Sequence, residues 1–434
     1  MNHFKLRDSV VHCEDVPLPL IASEVGTPVY VYSTATMQRH ARVFRTALAS
    51  LEDPLVAFAV KANPNAAVLA TLAAEGLGAD VVSGGEYRRA RAAGIPANRI
   101  VFSGVGKTAD EMALALEGGL FQFNVESFAE AEMLSKVAAS MGRMAPVCFR
   151  INPDVAAGSH AKICTGGAQD KFGINAADLM RAFEMARELP GLDAKGIAVH
   201  IGSQLTRLEP LEAAFTRLGE LIAELRAAGH PVTVADLGGG LGVPYDPAAP
   251  LPPSPADYAA LVDRITAGWR VRLVFEPGRL IVGNAGVLLT RVIRLKKGPN
   301  CPFVIVDAGM NDLMRPSLYD AWHGIEAVAP RGDNIVADIV GPVCESGDTF
   351  ARARVISHVE PGDLMVIRTA GAYAATMAST YNSRPLAAEV LVNGSEWAVV
   401  RKRQDVEALI QGDIVPSWLR TGGCAQGTPR RGCP

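Results

Sequence analysis

Phe58-Ala59-Val60-Lys61-Ala62-Asn63-Pro64-Asn65 decides how the rest of the chain is read. It closes an apolar run from Pro54, made of the residue types that fill a buried parallel strand. One lysine follows, then Asn-Pro-Asn, a turn that stops strand pairing. A lysine at the mouth of a buried strand either snorkels to solvent or has chemical work, because burial penalises its charged form. The same burial lowers its pKa and makes the amine nucleophilic, as a lysine that condenses with an aldehyde requires.

Working outward, short apolar strands alternate with Ala/Leu/Glu-rich helical stretches. The predicted strands are 55–60, 79–82, 99–102, 121–124, 146–151, 196–200, 232–237 and 271–275. Helices are predicted at about 65–75, 84–93, 108–118, 127–141, 177–189, 208–228 and 255–269. Eight such units match a closed (β/α)8 barrel better than an open sheet, so chemistry is expected where the strands end. Those ends carry Lys61, Asp80, Asn124, Arg150, His200, Asp236 and Glu276. After Gly286 the strands follow one another without long helices, which predicts an all-β sandwich or barrel domain. The division is 1–34, an arm pairing with the β domain; 35–285, the barrel; 286–420, the β domain; and 421–434, a small, polar, disordered tail.

Bulk properties narrow the function. The chain has 434 residues, 49% hydrophobic and 20% charged, enough for a large core. A net charge of -3 gives no reason to expect nucleic acid or an anionic membrane. Seven scattered Cys form no CxxC pair, and no apolar run is long enough to span a bilayer. Without an apolar signal at the start, a cytoplasmic enzyme with reduced thiols is expected. There is no HExxH and no clustered His/Cys set, so no catalytic metal is expected.

Four strand ends then combine. The glycines of Asp236-Leu237-Gly238-Gly239-Gly240 can cradle a phosphate with backbone N–H groups, although they could equally form a bare turn. His200 can stack on a flat ring. Glu276, beside Arg279, either pairs with that arginine or holds a pyridinium N–H, leaving the guanidinium for a substrate carboxylate. Together with Lys61 these describe a pyridoxal 5'-phosphate site.

From about Thr27 to Trp418 the chain resembles the diaminopimelate decarboxylases. These are a branch of the fold-type III pyridoxal-phosphate decarboxylase family, which also holds the eukaryotic-type ornithine and arginine enzymes. The resemblance rests on Ala59-Val60-Lys61-Ala62-Asn63-Pro64, Asp80 to Glu86, the His160 to Gly166 stretch with Lys171-Phe172-Gly173, and His200-Ile201-Gly202-Ser203. It continues through Glu276-Pro277-Gly278-Arg279, Asp307 to Pro316, and Gly341-Pro342-Val343-Cys344-Glu345-Ser346-Gly347-Asp348. The run from Gly309 to Tyr319 discriminates most, resembling the diaminopimelate branch and not the ornithine one.

The resemblance implies decarboxylation of meso-diaminopimelate to L-lysine, with Lys61, Cys344 and His200 as catalytic residues. Cofactor contacts would come from Lys61, Asp80, His200, Ser203, Gly239, Gly240, Glu276, Gly278, Arg279 and Tyr373. Arg279, Arg315 and Tyr319 would clamp the distal carboxylate, Glu345 would read the distal amine, and Tyr373 would also touch substrate. Cys344 would supply the proton that replaces CO2. Cys344 and Glu345 would reach the neighbouring subunit's site, which implies a homodimer, and 156–172 would form a mobile lid. Leu280 and Cys164 depart from common family residues at positions without a named role. A decarboxylase of another amino acid, such as D-ornithine or D-lysine, is the alternative that the Arg279, Arg315 and Tyr319 set counts against. A non-catalytic cofactor-binding relative is the other, and it has no need of Cys344.

Overall fold

The computed structural model describes residues 2–153, 155 and 171–419. The tail from 421, Cys164 and the stretch from His160 to Gly166 lie outside the described residues. So does the expected lid, apart from Lys171 and Phe172.

All eight predicted barrel strands are present: Leu55–Ala59, Gly78–Val81, Ile100–Phe102, Gln122–Val125, Ala145–Asn152, Leu192–Val199, Val234–Asp236 and Arg272–Phe275. Each pairs in parallel with the next, and the last pairs with the first (Val274 with Leu55), so the sheet closes. Alternation within a strand separates two environments. Val56 and Phe58 pack outward under the helices, whereas Leu55 and Ala57 join Val101, Ala198 and Val274 in a separate interior cluster. Small interior side chains leave room for a polar layer near the rim.

The helices begin where polar caps allow. Asn65, Ser83 and Ser127 accept hydrogen bonds from the backbone N–H two or three residues on. Thr108 with Glu111, and Ser254 with Asp257, form reciprocal capping boxes. These caps end the connections promptly and keep the strand ends in register with one another. Among the described residues, no helix is long and apolar enough to cross a membrane.

Val29–Ser33, from the N-terminal arm, lies inside the sheet of the β domain. It pairs antiparallel with Gly286–Lys296 and parallel with Ala388–Asn393. The arm's Phe4–Arg7, Val10–Cys13 and Val16–Pro17 instead form a small sheet of their own. Four short strands escape the sequence reading: Phe4–Arg7, Val16–Pro17, Ile174–Asn175 and Ile325–Ala327. Each is too brief to show an alternation.

Glu389 joins the parts. Fully buried, its Oε2 accepts from the Tyr32 hydroxyl at 2.8 Å and from Asn65 Nδ2 at 2.9 Å, and its other oxygen faces Arg401 at 2.8 Å. Asn63 Nδ2 donates to the Gly371 carbonyl at 3.1 Å. The turn after Lys61 is therefore held by the β domain.

Val31 sits between Val287 and Val390 with no accessible surface. Val31→Asp should bury an unpaired charge there and destabilise the chain by more than about 4 kcal/mol. Chemical denaturation showing a near-wild-type midpoint would contradict this placement.

Candidate active site

Lys61 occupies a 3-10 turn, Val60–Ala62, directly beyond the first barrel strand. Its Nζ lies 2.9 Å from Oδ2 of Asp80, on the adjacent strand. The expected depression of its pKa is corrected here. Burial does pull the ammonium down, but Asp80, then Glu276 and Tyr373, outweigh it and leave the pKa above the ordinary lysine value. The amine is charged, and Asp80 is its ion-pair partner.

Below the lysine lies a buried polar layer built by Gln122 and Asn124, which share the inner face of one strand. Asn124 Nδ2 donates to Asp236 Oδ2 at 2.9 Å and to Glu276 Oε1 at 3.1 Å. Gln122 Nε2 donates to the same Asp236 oxygen at 3.0 Å, and the Ser103 hydroxyl reaches Glu276 at 3.3 Å. Burial, then Asp236 and Asp80, push the Glu276 carboxyl well above the usual carboxylate range. Burial raises Asp236 as well. No ion pair joins Glu276 to Arg279, so the simple alternative for those two residues falls.

His200 follows the sixth strand. Burial, then Arg150 and Lys61, hold its pKa well below the usual value, so the ring is neutral. Its Nδ1 accepts the Gly239 N–H at 3.1 Å, which fixes the ring's orientation. The N–H groups of Gly240 and Gly278 have no partner among the described residues. Gly239 must be glycine: a Cβ there would stand 2.2 Å from the Glu276 carbonyl oxygen.

Arg279 donates from Nη1 to the Tyr245 hydroxyl at 2.6 Å and from Nη2 to Ser203 at 3.0 Å, and its guanidinium lies 4.7 Å over the Tyr373 ring. Tyr373 holds φ +53°, a costly conformation for a non-glycine residue, and its N–H bonds to the Ala62 carbonyl. Arg315 starts a short helix, Arg315–Tyr319, with its Nε 3.3 Å from His323 Nε2. Both arginines are 6% exposed, and neither has a carboxylate partner among the described residues.

Lys61, His200, Ser203, Gly239, Gly240, Glu276, Gly278, Arg279, Arg315, Tyr319 and Tyr373 line one cavity of about 220 Å³. Asp80 touches it through Lys61. Leu280 lines it too, so that departure is at the site and not remote from it. Cys344 and Glu345 do not line it. They sit exposed on the connection after Asn334–Val340, with the Cys344 N–H held by Asn382 at 2.8 Å. Asp348 braces that connection by accepting from Met310 and Val343 N–H groups, each at 2.6 Å. Among the described residues no cluster of His, Cys, Asp and Glu could hold a metal.

The sequence reading passed over Ser103, Gln122, Tyr245 and His323. Only Gln122 carried a signal: with Asn124 it alternates polar against Phe123 and Val125, the mark of an inward polar face.

The cavity fits a flat pyridine aldehyde bearing a phosphate. It offers an amine, a neutral aromatic face, backbone N–H groups unpartnered among the described residues, and a buried acid, and behind the amine lies Asp80, whose buried Oδ1 has no hydrogen-bond partner among the described residues. The comparisons agree. Residues 34–283 match the family described as pyridoxal-dependent decarboxylase, pyridoxal binding domain. A diaminopimelate decarboxylase of Zymomonas mobilis is 57% identical over 421 residues, covering 96% of this chain and all of that one. The diaminopimelate decarboxylase structure from M. jannaschii in co-complex with L-lysine superposes with a TM-score of 0.93. It is 35% identical and covers 96% of this chain and all of that one. The Helicobacter pylori enzyme complexed with L-lysine gives 0.87 at 39% identity, covering 91% and 98%.

A raised carboxyl pKa has a definite sign. Between its unfolded and folded values Glu276 binds more proton when folded, so it contributes stability at low pH that is lost as pH rises. Cofactor-free Glu276→Gln should therefore melt a few degrees above wild type at pH 8, and the two should converge near pH 5. Thermal scans in which the variant melts lower at pH 8 would contradict the assignment.

Proposed function

This chain belongs to the pyridoxal-dependent decarboxylases, and from that premise we propose that it converts meso-2,6-diaminopimelate to L-lysine and CO2 with pyridoxal 5'-phosphate. One observation carries the substrate: two buried guanidinium groups, Arg279 and Arg315, line the cavity of Lys61 with no carboxylate partner among the described residues. Buried unpaired cations cost several kcal/mol, a penalty that an arriving carboxylate relieves. A monocarboxylic diamino acid such as ornithine or lysine leaves that penalty standing once its single carboxylate is the one that leaves.

Lys61 would hold the aldehyde end of the cofactor, Glu276 its ring nitrogen, and His200 one face of the ring. Ser203, Gly239, Gly240, Gly278, Arg279 and Tyr373 would surround its phosphate, Gly240 and Gly278 with unpartnered N–H groups and Gly239 through its hold on His200. When bound, the cofactor supplies an electron sink for the pair left on the α-carbon as CO2 departs. Asp80, 2.9 Å from the Lys61 amine, orients it within the cavity. Asn124 and Ser103 hold the Glu276 carboxyl in place. Arg279, Arg315 and Tyr319 bind the distal carboxylate and so orient the substrate along the cavity.

The proton that replaces CO2 comes in this reading from Cys344, with Glu345 reading the distal ammonium, both supplied by a second copy of the chain. Their braced, exposed connection outside their own cavity supports a homodimer with shared sites.

The direct test supplies the cofactor-loaded protein separately with meso-diaminopimelate, ornithine and lysine and follows CO2. Release from the first alone is expected; release only from ornithine or lysine would sink the reading. Arg315→Met should lose turnover of diaminopimelate by about a hundredfold while retaining cofactor absorbance. Lys61→Ala and Cys344→Ala, each nearly inactive, should regain activity when mixed, and no recovery would dismiss the shared site.

A further inference from the structure

We propose that His323, with Tyr245, positions the arginine pair and thereby sets the preference of this site for a substrate bearing a distal carboxylate. The inference rests on the reading above that this carboxylate docks at Arg279 and Arg315.

His323 is completely buried, and its Nδ1 lies 2.8 Å from the Arg368 carbonyl oxygen. A carbonyl can only accept, so Nδ1 carries the proton and Nε2 is left as an acceptor. That acceptor receives the Arg315 Nε–H at 3.3 Å. The Nη groups of Arg315 make no hydrogen bond among the described residues, so the fork that suits a carboxylate remains available. Burial, then Arg315, holds the His323 pKa at about 3, so the ring stays neutral at any working pH.

Tyr245 completes the arrangement. Its ring lies 4.7 Å from the Arg315 guanidinium and 5.7 Å from that of Arg279, and it meets the His323 ring edge-on at 5.2 Å. Its hydroxyl accepts from Arg279 Nη1 at 2.6 Å. The negative face of an aromatic ring offsets two neighbouring cations without discharging either. An acidic residue at either position would orient the arginines but neutralise them, and the pocket would lose its pull on a carboxylate. Neutral acceptors fix direction and leave the charge for the ligand.

Three variants test this in the cofactor-loaded protein. His323→Leu removes the acceptor, His323→Gln retains one, and Tyr245→Phe removes only the hydroxyl. His323→Leu should raise KM for meso-diaminopimelate about tenfold or more with kcat changed far less, and should weaken binding of pimelate, by calorimetry, to a similar degree. Tyr245→Phe should move the same way by a smaller factor, and His323→Gln should stay within about threefold of wild type. Cofactor absorbance should be unchanged in all three. A purely packing role predicts a lowered melting point with KM and pimelate affinity unmoved, and that result overturns the proposal, as does a His323→Gln no better than His323→Leu. If His323→Leu cannot be purified, Tyr245→Phe with unaltered KM overturns it instead. If wild type ignores diaminopimelate yet binds pimelate, and His323→Leu loses that binding, the substrate reading fails while the positioning role stands. Wild type that neither turns over the diamino acid nor binds pimelate overturns both.

Discussion

Ionisable groups buried inside the barrel mouth govern this structure. Asp80 and Glu276 are buried near a single lysine, Asp236 is buried beside Glu276, and Arg279 and Arg315 are buried with no carboxylate partner among the described residues. Neither group would be tolerated for stability alone, since desolvating an ion costs more than most neighbours return. Acids on one side and guanidinium groups on the other make a cavity polarised along its length. A molecule with a cationic ring at one end and a carboxylate at the other satisfies both sides at once.

The scaffold makes that polarity affordable. Parallel closure brings eight strand ends to one rim, and small interior residues such as Ala57 and Ala198 leave space for Gln122, Asn124 and Ser103 to donate to the buried acids. The glycines between Gly238 and Gly240 let the backbone pass so close to Glu276 that no other residue fits at Gly239.

Much of this was readable in the sequence, because each barrel strand announces itself by an apolar run ending in a polar residue, and Lys61, His200, Ser203, Glu276 and Arg279 sit at or just after those ends, whereas Arg315, Tyr319 and Tyr373 of the β domain were marked only by the resemblance. What escaped was whatever depends on neighbours distant along the chain. Lys61 was misread in pKa because Asp80 comes beside it only through the register that pairs Ala59 with Asp80. Tyr245 and His323 meet across loops of unrelated sequence, with no periodicity to mark them. Leu280 looked incidental until the short helix Arg279–Val282 turned it to the cavity wall. Cys344 and Glu345 stand apart from their own cavity, a separation that the resemblance implied and no motif spacing expresses.

The threading of Val29–Ser33 between Gly286–Lys296 and Ala388–Asn393 bears on how the molecule is made. Residues 29–33 leave the ribosome before the barrel strands, and both of their partners leave after them, so the barrel emerges while that strand still lacks both neighbours. Asn65, two residues past the lysine turn's Asn63, must wait for Glu389 in the same way. The turn that carries Lys61 thus gains its full set of partners only after Glu389 has been made.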